Sequence, residues 1–316
     1  MTAAGGPPST SFPAGGSPST SSVADVARAL DSLAAAPAPL LVVADFDGTL
    51  AVGARDPAVA VIEPVARRGL RALARVAAER PGRVHVAVLT GRVVSDVAVR
   101  VRVGGVEYLG DHGLEHGTLA RGGRAEQLRV VTDPAYDAHR HPAAILAAGV
   151  AAELGSPPWL FVERKGPSVA FHVRQADDVA AARAAVVGAI AAVEARAGLW
   201  DHGLAHYRGR SVIDLRPAEA GGKREAVGRL LERHRPGAVL VLGDELSDVD
   251  AFEAVIAARR EASAGAGTGA GALVATTVAV HGATRPAPDD LLRGADLCLG
   301  SPREVGRLLL ALARRL

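Results

Sequence analysis

Short apolar runs separated by longer segments of helical spacing recur along this chain, and that alternation restricts it to few architectures. LLVVAD (40–45), VHVAVL (84–89), VEYLGDHG (106–113), AVLVLGD (238–244) and ALVATTVAVHG (272–282) each read as strand-like. Near-continuous apolar strands are those buried on both faces, as in parallel sheets flanked by helices. Between the first two, Leu70, Leu73, Val76 and Ala77 recur at helical spacing. Asp56-Pro57, a cap followed by proline, predicts the start of that helix, and Pro81-Gly82 its end. The expected fold class is α/β with a doubly wound parallel sheet.

The middle of the chain breaks the pattern. WLFVERKGPSVAFHVR (159–174) reads as two strands around Lys165-Gly166-Pro167, with Phe171 and Val173 alternating with His172 and Arg174 as in a half-exposed antiparallel strand. An alanine-rich helix follows, then LAHYRGRSVIDLRP, a second strand pair turning at Arg208-Gly209. Antiparallel pairs flanking helices predict a small α+β domain inserted into the parallel one. The expected organisation is a tail at 1–22, a core of 23–117 and 210–316, and an insert of 118–209.

The tail is almost wholly Gly, Pro, Ser, Thr and Ala and is expected to be disordered, since it cannot bury enough surface to offset its ordering entropy. A short helix from Val23 to about Ala35, capped by Ser22, and a closing helix begun by Ser301-Pro302 bracket the rest. The Gly/Ala run 261–272 reads as a flexible surface loop.

With 316 residues and 49% hydrophobic content, the chain can bury a large core. Its formal charge of +2 comes without a compact basic block, so neither nucleic acid nor an anionic membrane is an expected partner. The longest Ala/Val-rich run, 179–198, is interrupted by Arg183 and Glu194 and reads as a helix of a soluble protein. No basic-then-apolar leader opens the sequence, which leads to an expectation of a cytoplasmic protein. Cys298 alone can form neither an internal disulfide nor a multi-cysteine metal cluster, and reads as a small buried hydrophobe.

LVVADFDGTL (41–50) ends an apolar strand with Asp45 and Asp47. Asp-Gly after such a run also suits a hairpin turn, whereas a calcium loop fails because glycine comes fourth rather than sixth. The other strands supply the context. Thr90 follows the second strand, and Asp244 and Asp248 follow the one at 238. Ligands of open parallel sheets bind outside the carboxyl ends of the strands, so these groups should share one crevice. Gathered carboxylates repel one another unless a cation lies among them, and hard oxygen donors fit Mg2+. Phosphate is the natural companion of such an ion, and a carboxylate beside it can act as a nucleophile.

DFDGTL, LTGR, the lysine of GGKREAV, and GDELSD resemble, in order, the four motifs of the haloacid dehalogenase-like phosphatases. The likeness implies a Rossmann-like core carrying an inserted cap. It makes Asp45 the nucleophile and Asp47 the general acid and base. Thr90, Gly91 and Lys223 become phosphate-binding groups. Asp45, Asp47 and Asp244 are the implied Mg2+ ligands, with Asp248 supporting them. Lys223, one of two lysines in the chain, would open a helix whose amino end also favours phosphate.

Within that superfamily GDHGLEHG, VERKGPSVAFHVR, GRSVIDLRP and GDELSDVDAF look most like segments of the trehalose-6-phosphate phosphatases. This implies a Mg2+-dependent phosphomonoesterase acting on trehalose 6-phosphate, functionally linked to the synthase of that sugar phosphate, and a monomer. His112, Glu115, Glu163 and Lys165 are the implied sugar-binding residues, while His172 reads as structural. Asp214 stands where the family usually has glutamate, and Glu245 and Ser247 where it has aspartate and threonine. Other sugar phosphates, such as sucrose phosphate or mannosylglycerate phosphate, a phosphosugar mutase, and a silent sugar-phosphate sensor remain the competing readings.

Overall fold

The computed structural model describes residues 20–53, 59–209, 211–265, 272–282 and 286–316. Its elements run α1 (Val23–Ala35), β1 (Leu40–Ala44), α2 (Pro64–Glu79), β2 (Val84–Leu89), α3 (Val94–Val101), β3 (Glu107–Gly110), β4 (Glu115–Thr118), β5 (Arg129–Thr132) and α4 (Arg140–Glu153). There follow β6 (Phe161–Arg164), β7 (Val169–His172), α5 (Val179–Ala197), β8 (Leu204–Arg208), β9 (Val212–Pro217), α6 (Lys223–His234) and β10 (Ala238–Gly243). The chain closes with α7 (Leu246–Gly265), β11 (Val274–Val280), α8 (Asp289–Arg293), β12 (Leu297–Leu299) and α9 (Pro302–Arg315).

One sheet has the order β12-β11-β10-β1-β2-β3-β4-β5. From β12 to β3 all pairs are parallel, and β4 and β5 are added antiparallel. The winding reverses between β1 and β10, the switch point at which open α/β sheets form their crevice. Alternate residues of β1 feed opposite cores: Leu40, Val42 and Ala44 pack with α1, α2, α3 and α9, and Leu41 and Val43 with α6, α7 and α8. Each such fully buried Leu or Val side chain contributes about 1.5–3 kcal/mol relative to exposure. This double burial is why β1 reads as an unbroken apolar run rather than as an alternating one.

The second sheet, β6-β7-β9-β8, is antiparallel throughout. Phe171, Ile213 and Leu215 face Leu146 and Val150 of α4 and Val186 and Ile190 of α5. Strand alternation therefore turns Asp214 and Arg216 to the other face.

Several boundaries differ from the sequence reading. Asp56-Pro57 lies outside the described residues; α2 begins at Pro64, where Glu63 Oε2 accepts the amides of Val65 and Ala66 at 2.5 and 3.0 Å. The cap-then-proline pattern thus recurs as Glu63-Pro64, immediately before the first buried residues of α2, Val65 and Ala66. Residues 111–113 leave β3 as a tight turn with Asp111 and His112 at φ 48° and 57°. Residues 129–132, placed in the insert by sequence, belong to the large sheet, and 212–217, placed in the core, belong to the small one. Hairpin pairing decides both, because β5 finds its partner in β4 and β9 lies between β7 and β8. The run 261–272 is not all loop: α7 continues to Gly265, and 266–271 lie outside the described residues. Of the expected tail, 1–19 lie outside them too, while Ser21 is tied to β12, its amide donating to Cys298 O at 2.8 Å and its Oγ accepting from Cys298 N at 2.9 Å. No helix among the described residues is long and apolar enough to cross a membrane.

Candidate active site

Parallel pairing of β1 with β10 matches Ala44 to Leu242, and Asp45 N still donates to Leu242 O at 3.0 Å, so Asp45 and Asp244 emerge side by side. One oxygen each of Asp45, Asp244 and Asp248 lies within 4.8 Å of the other two, and all three residues are buried. Asp248, on the first turn of α7, fixes its neighbours: Oδ2 accepts the amides of Asp244 and Glu245, both at 3.0 Å. Its Oδ1 accepts from Lys223 Nζ at 2.7 Å, and the same ammonium donates to Asp45 Oδ1 at 2.8 Å.

Lys223 opens α6, whose start is secured by Gly222 N donating to Glu225 Oε2 at 2.6 Å. Its ammonium is 1% exposed. Burial alone would depress the Lys223 pKa, but Asp248 and Asp45 outweigh it and hold the group above the usual lysine range. Burial pushes the Asp45 carboxyl up, against the pull of Lys223.

Asp45 Oδ2 is buried and makes no hydrogen bond among the described residues. An unsatisfied carboxylate oxygen facing further carboxylates is costly, and a hard divalent cation relieves that cost. The donor set therefore fits Mg2+, with Asp45 and Asp244 supplying oxygens. Gly48 makes room for it: at φ 94°, a Cβ there would lie 2.1 Å from Asp244 Oδ2. Thr49 adds a long contact, Oγ1 to Asp244 Oδ1 at 3.4 Å.

Asp47 points elsewhere. Its two oxygens take Arg92 Nε at 2.5 Å and Nη2 at 2.9 Å, and Arg92 reaches Asp96 at 2.7 Å. The carboxylate of Asp47, also implied as a Mg2+ ligand, is held in the Arg92 fork rather than beside the Asp244 carboxylate. Thr90, just after β2, is buried, its Oγ1 accepting Arg92 N at 3.2 Å. Gly91 packs beneath His112, whose Nε2 would lie 2.7 Å from a Cβ at that position.

The four sugar-binding candidates fall into two groups. His112 and Lys165 join a buried polar cluster linking the two sheets: Lys165 Nζ lies 3.3 Å from Asp111 Oδ1 and 3.2 Å from Asp214 Oδ1. Ser168 Oγ donates to Asp111 Oδ2, His112 Nε2 lies 3.3 Å from Asp214 Oδ2, and Arg216 Nε lies 3.2 Å from the same oxygen. The Arg216 guanidinium also stacks 3.7 Å over the Tyr207 ring. Burial, with Arg216 beside it, drives His112 down to about 4, so the ring is neutral at pH 7. Burial would depress Lys165 too, but Asp214 and Asp111 hold it above the usual range. Glu115 and Glu163 are placed differently. Glu115 Oε2 accepts Val94 N at 2.7 Å and so caps α3, and Glu163 Oε2 meets His172 Nε2 at 2.9 Å across the hairpin.

Sequence reasoning overlooked Arg92, Asp111, Ser168 and Arg216 as members of the site. Arg92 stood inside the quoted LTGR and Asp111 inside GDHG. Ser168 stood inside VERKGPSVAFHVR and Arg216 inside GRSVIDLRP, but their contacts with Asp111 and Asp214 come from the tertiary fold.

The trehalose-phosphatase family model matches residues 43–274. The chain belongs to the trehalose-phosphatase family. Curated relatives include the trehalose-phosphate phosphatases of Mycobacterium marinum (37% identical) and Mycobacterium avium (39% identical), each aligned over 67% of this chain and 50% of the relative. The chain thus spans about half the length of the curated relatives it matches. Among solved structures, the C-terminal domain of trehalose-6-phosphate phosphatase from C. albicans shares the fold, with a TM-score of 0.69 at 21% identity over 92% of this chain and 96% of that one. The C-terminal domain of a Candida albicans trehalose synthase regulatory protein has a TM-score of 0.60 at 14% identity, over 93% of this chain and 99% of that one. All the motifs quoted from DFDGTL to GDELSD fall inside the matched trehalose-phosphatase span.

Proposed function

We propose that this member of the trehalose-phosphatase family is a Mg2+-dependent phosphomonoesterase that hydrolyses trehalose 6-phosphate to trehalose and phosphate. The observation that carries the reading is Asp45: one oxygen is held by Lys223 and the other, at the mouth of the sheet's switch point, is buried with no hydrogen-bond partner among the described residues. That geometry suits a nucleophile waiting for phosphorus.

Asp45 attacks the phosphorus as the bond to the sugar oxygen breaks, leaving an aspartyl phosphate. Asp47, oriented by Arg92, takes up a proton from solvent before the step and gives it to the departing sugar oxygen. It then takes a proton from water, whose oxygen attacks the phosphorus, freeing phosphate and restoring the Asp45 carboxylate. Lys223, Thr90 and Gly91 bind phosphoryl oxygens, the lysine countering the charge of the transition state. A Mg2+ ion held by Asp45 and Asp244 supplies charge neutralisation for phosphate beside those carboxylates.

The cluster of His112, Lys165, Asp214 and Arg216 is the proposed sugar-reading surface, since its donors and acceptors can exchange partners with vicinal hydroxyls as the two sheets part. Glu163 and Glu115 flank it. Against a silent sensor stands the complete set of Asp45, Asp47, Lys223 and Asp244, which binding alone does not require.

The test is phosphate release from trehalose 6-phosphate and from a panel of other sugar phosphates, with Mg2+ and after chelation. Preferred, Mg2+-restored release from trehalose 6-phosphate, lost in Asp45→Asn, is expected. A faster reaction with sucrose phosphate would reassign the substrate, and release by Asp45→Asn would remove the mechanism.

A further inference from the structure

Behind the sheet, at the amino ends of the strands, His85, Glu107 and His234 converge. One potential ligand atom of each lies within 4.8 Å of the other two, and each residue is half-buried. They come from three elements: His85 from β2, Glu107 from the first position of β3 and His234 from the last turn of α6. The site is remote from the catalytic carboxylates. His234 lies eleven residues beyond Lys223 on one helix, about 16 Å along its axis, and His85 lies at the opposite end of β2 from Thr90.

The side chains are arranged as a ligand set. The rings of His85 and His234 stack face to face with centroids 4.0 Å apart and a tilt of 28°. His234 Nε2 lies 2.9 Å from Glu107 Oε1, yet it makes no hydrogen bond among the described residues, although the side chain is only 10% exposed. A buried ring nitrogen this close to a carboxylate oxygen, yet making no hydrogen bond among the described residues, is an unmet demand. The second oxygen of Glu107 is already held, by His116 Nε2 at 3.0 Å and Arg233 Nη1 at 3.2 Å, so Oε1 is the oxygen left facing His234. Such support of a ligating carboxylate by a neighbouring hydrogen bond is how metal sites fix their ligands.

We propose that His85, Glu107 and His234 form a second metal site, specific for imidazole-seeking divalent ions of the zinc class rather than for Mg2+. Two nitrogens and one carboxylate oxygen suit such ions, whereas Mg2+ prefers all-oxygen octahedra. Occupancy ties the carboxyl end of α6 to the amino ends of β2 and β3, and so braces the helix that presents Lys223.

Equilibrium dialysis against Zn2+, with Mg2+ in excess to fill the carboxylate site, tests this alongside thermal melts. The expected result is one Zn2+ bound per chain and a raised Tm. Binding should be lost in both His85→Gln and His234→Gln and weakened about 10–100-fold in His116→Ala. No Zn2+ uptake by the wild-type chain, or uptake unchanged in both glutamine variants, overturns the site. Uptake that survives His85→Gln and disappears in His202→Gln places the ion in the small domain and overturns it equally. Should the glutamine variants fail to fold, Co2+ added to the wild-type protein decides. Intense visible bands of a four-coordinate nitrogen-oxygen site support the proposal, and a weak octahedral spectrum rejects it.

Discussion

Lys223 Nζ donates to Asp45 and Asp248 at once, at 2.8 and 2.7 Å, so a single buried ammonium balances carboxylates that arrive from two different parts of the chain. Breaking a buried ion pair from one side strands the remaining charge, at a cost of about 3–5 kcal/mol. Lys223→Ala should therefore lose stability on that scale together with its turnover. Asp45→Asn should lose turnover while staying much closer to wild-type stability, because Lys223 keeps Asp248. Urea denaturation of both variants checks the contrast, and a Lys223→Ala protein as stable as wild type would refute it.

Arg92 grips both oxygens of Asp47 in a fork that lysine cannot reproduce. Arg92→Lys retains the charge but loses the paired geometry, and we expect kcat/KM for the preferred sugar phosphate to fall about tenfold, equivalent to about 1.4 kcal/mol of transition-state stabilisation. Steady-state kinetics of the variant measures this. Unchanged kcat/KM would mean that Arg92 does not position Asp47 for catalysis.

Gly48 sits at φ 94° with the Asp244 carboxylate where a side chain would start. Gly48→Ala forces both an unfavourable backbone conformation and displacement of Asp244. Mg2+-dependent phosphatase activity should fall steeply, and the Mg2+ concentration giving half-maximal rate should rise. A Mg2+ titration of initial rates provides the reading, with an unshifted midpoint counting against the assignment of Asp244.

His112 provides a pH signature. Its pKa is pushed from 6.5 to about 4 by burial and by Arg216, with Asp214 pulling the other way and Lys165 also facing it. Between those values the unfolded chain binds more protons at this position than the folded one. The contribution is thus fully present above about pH 6.5 and is lost as pH falls, amounting to up to about 3 kcal/mol at pH 4. His112→Asn, which tolerates the left-handed backbone here, should flatten the fall in stability between pH 7 and 4. Denaturant midpoints across that range test it, and parallel pH slopes for variant and wild type would contradict it.

By itself the sequence determined the parallel core. β1, β2, β10 and β11 are buried on both faces, so their composition is dictated locally and read directly, as were Ser22 capping α1 and Pro302 opening α9. It also determined which acidic residues would meet, because Asp45 and Asp244 each follow a strand and neighbouring parallel strands must align their ends. Tertiary structure alone decided where the polar side chains turned once there. Asp47 is captured by Arg92, Glu115 by the amide of Val94, and Lys165 by Asp111 and Asp214, each partner supplied by an element whose pairing has no local sequence signature. The physical reason is range. Hydrophobic periodicity is written within one segment, whereas a buried charge takes its partner from whatever the fold brings within about 3 Å.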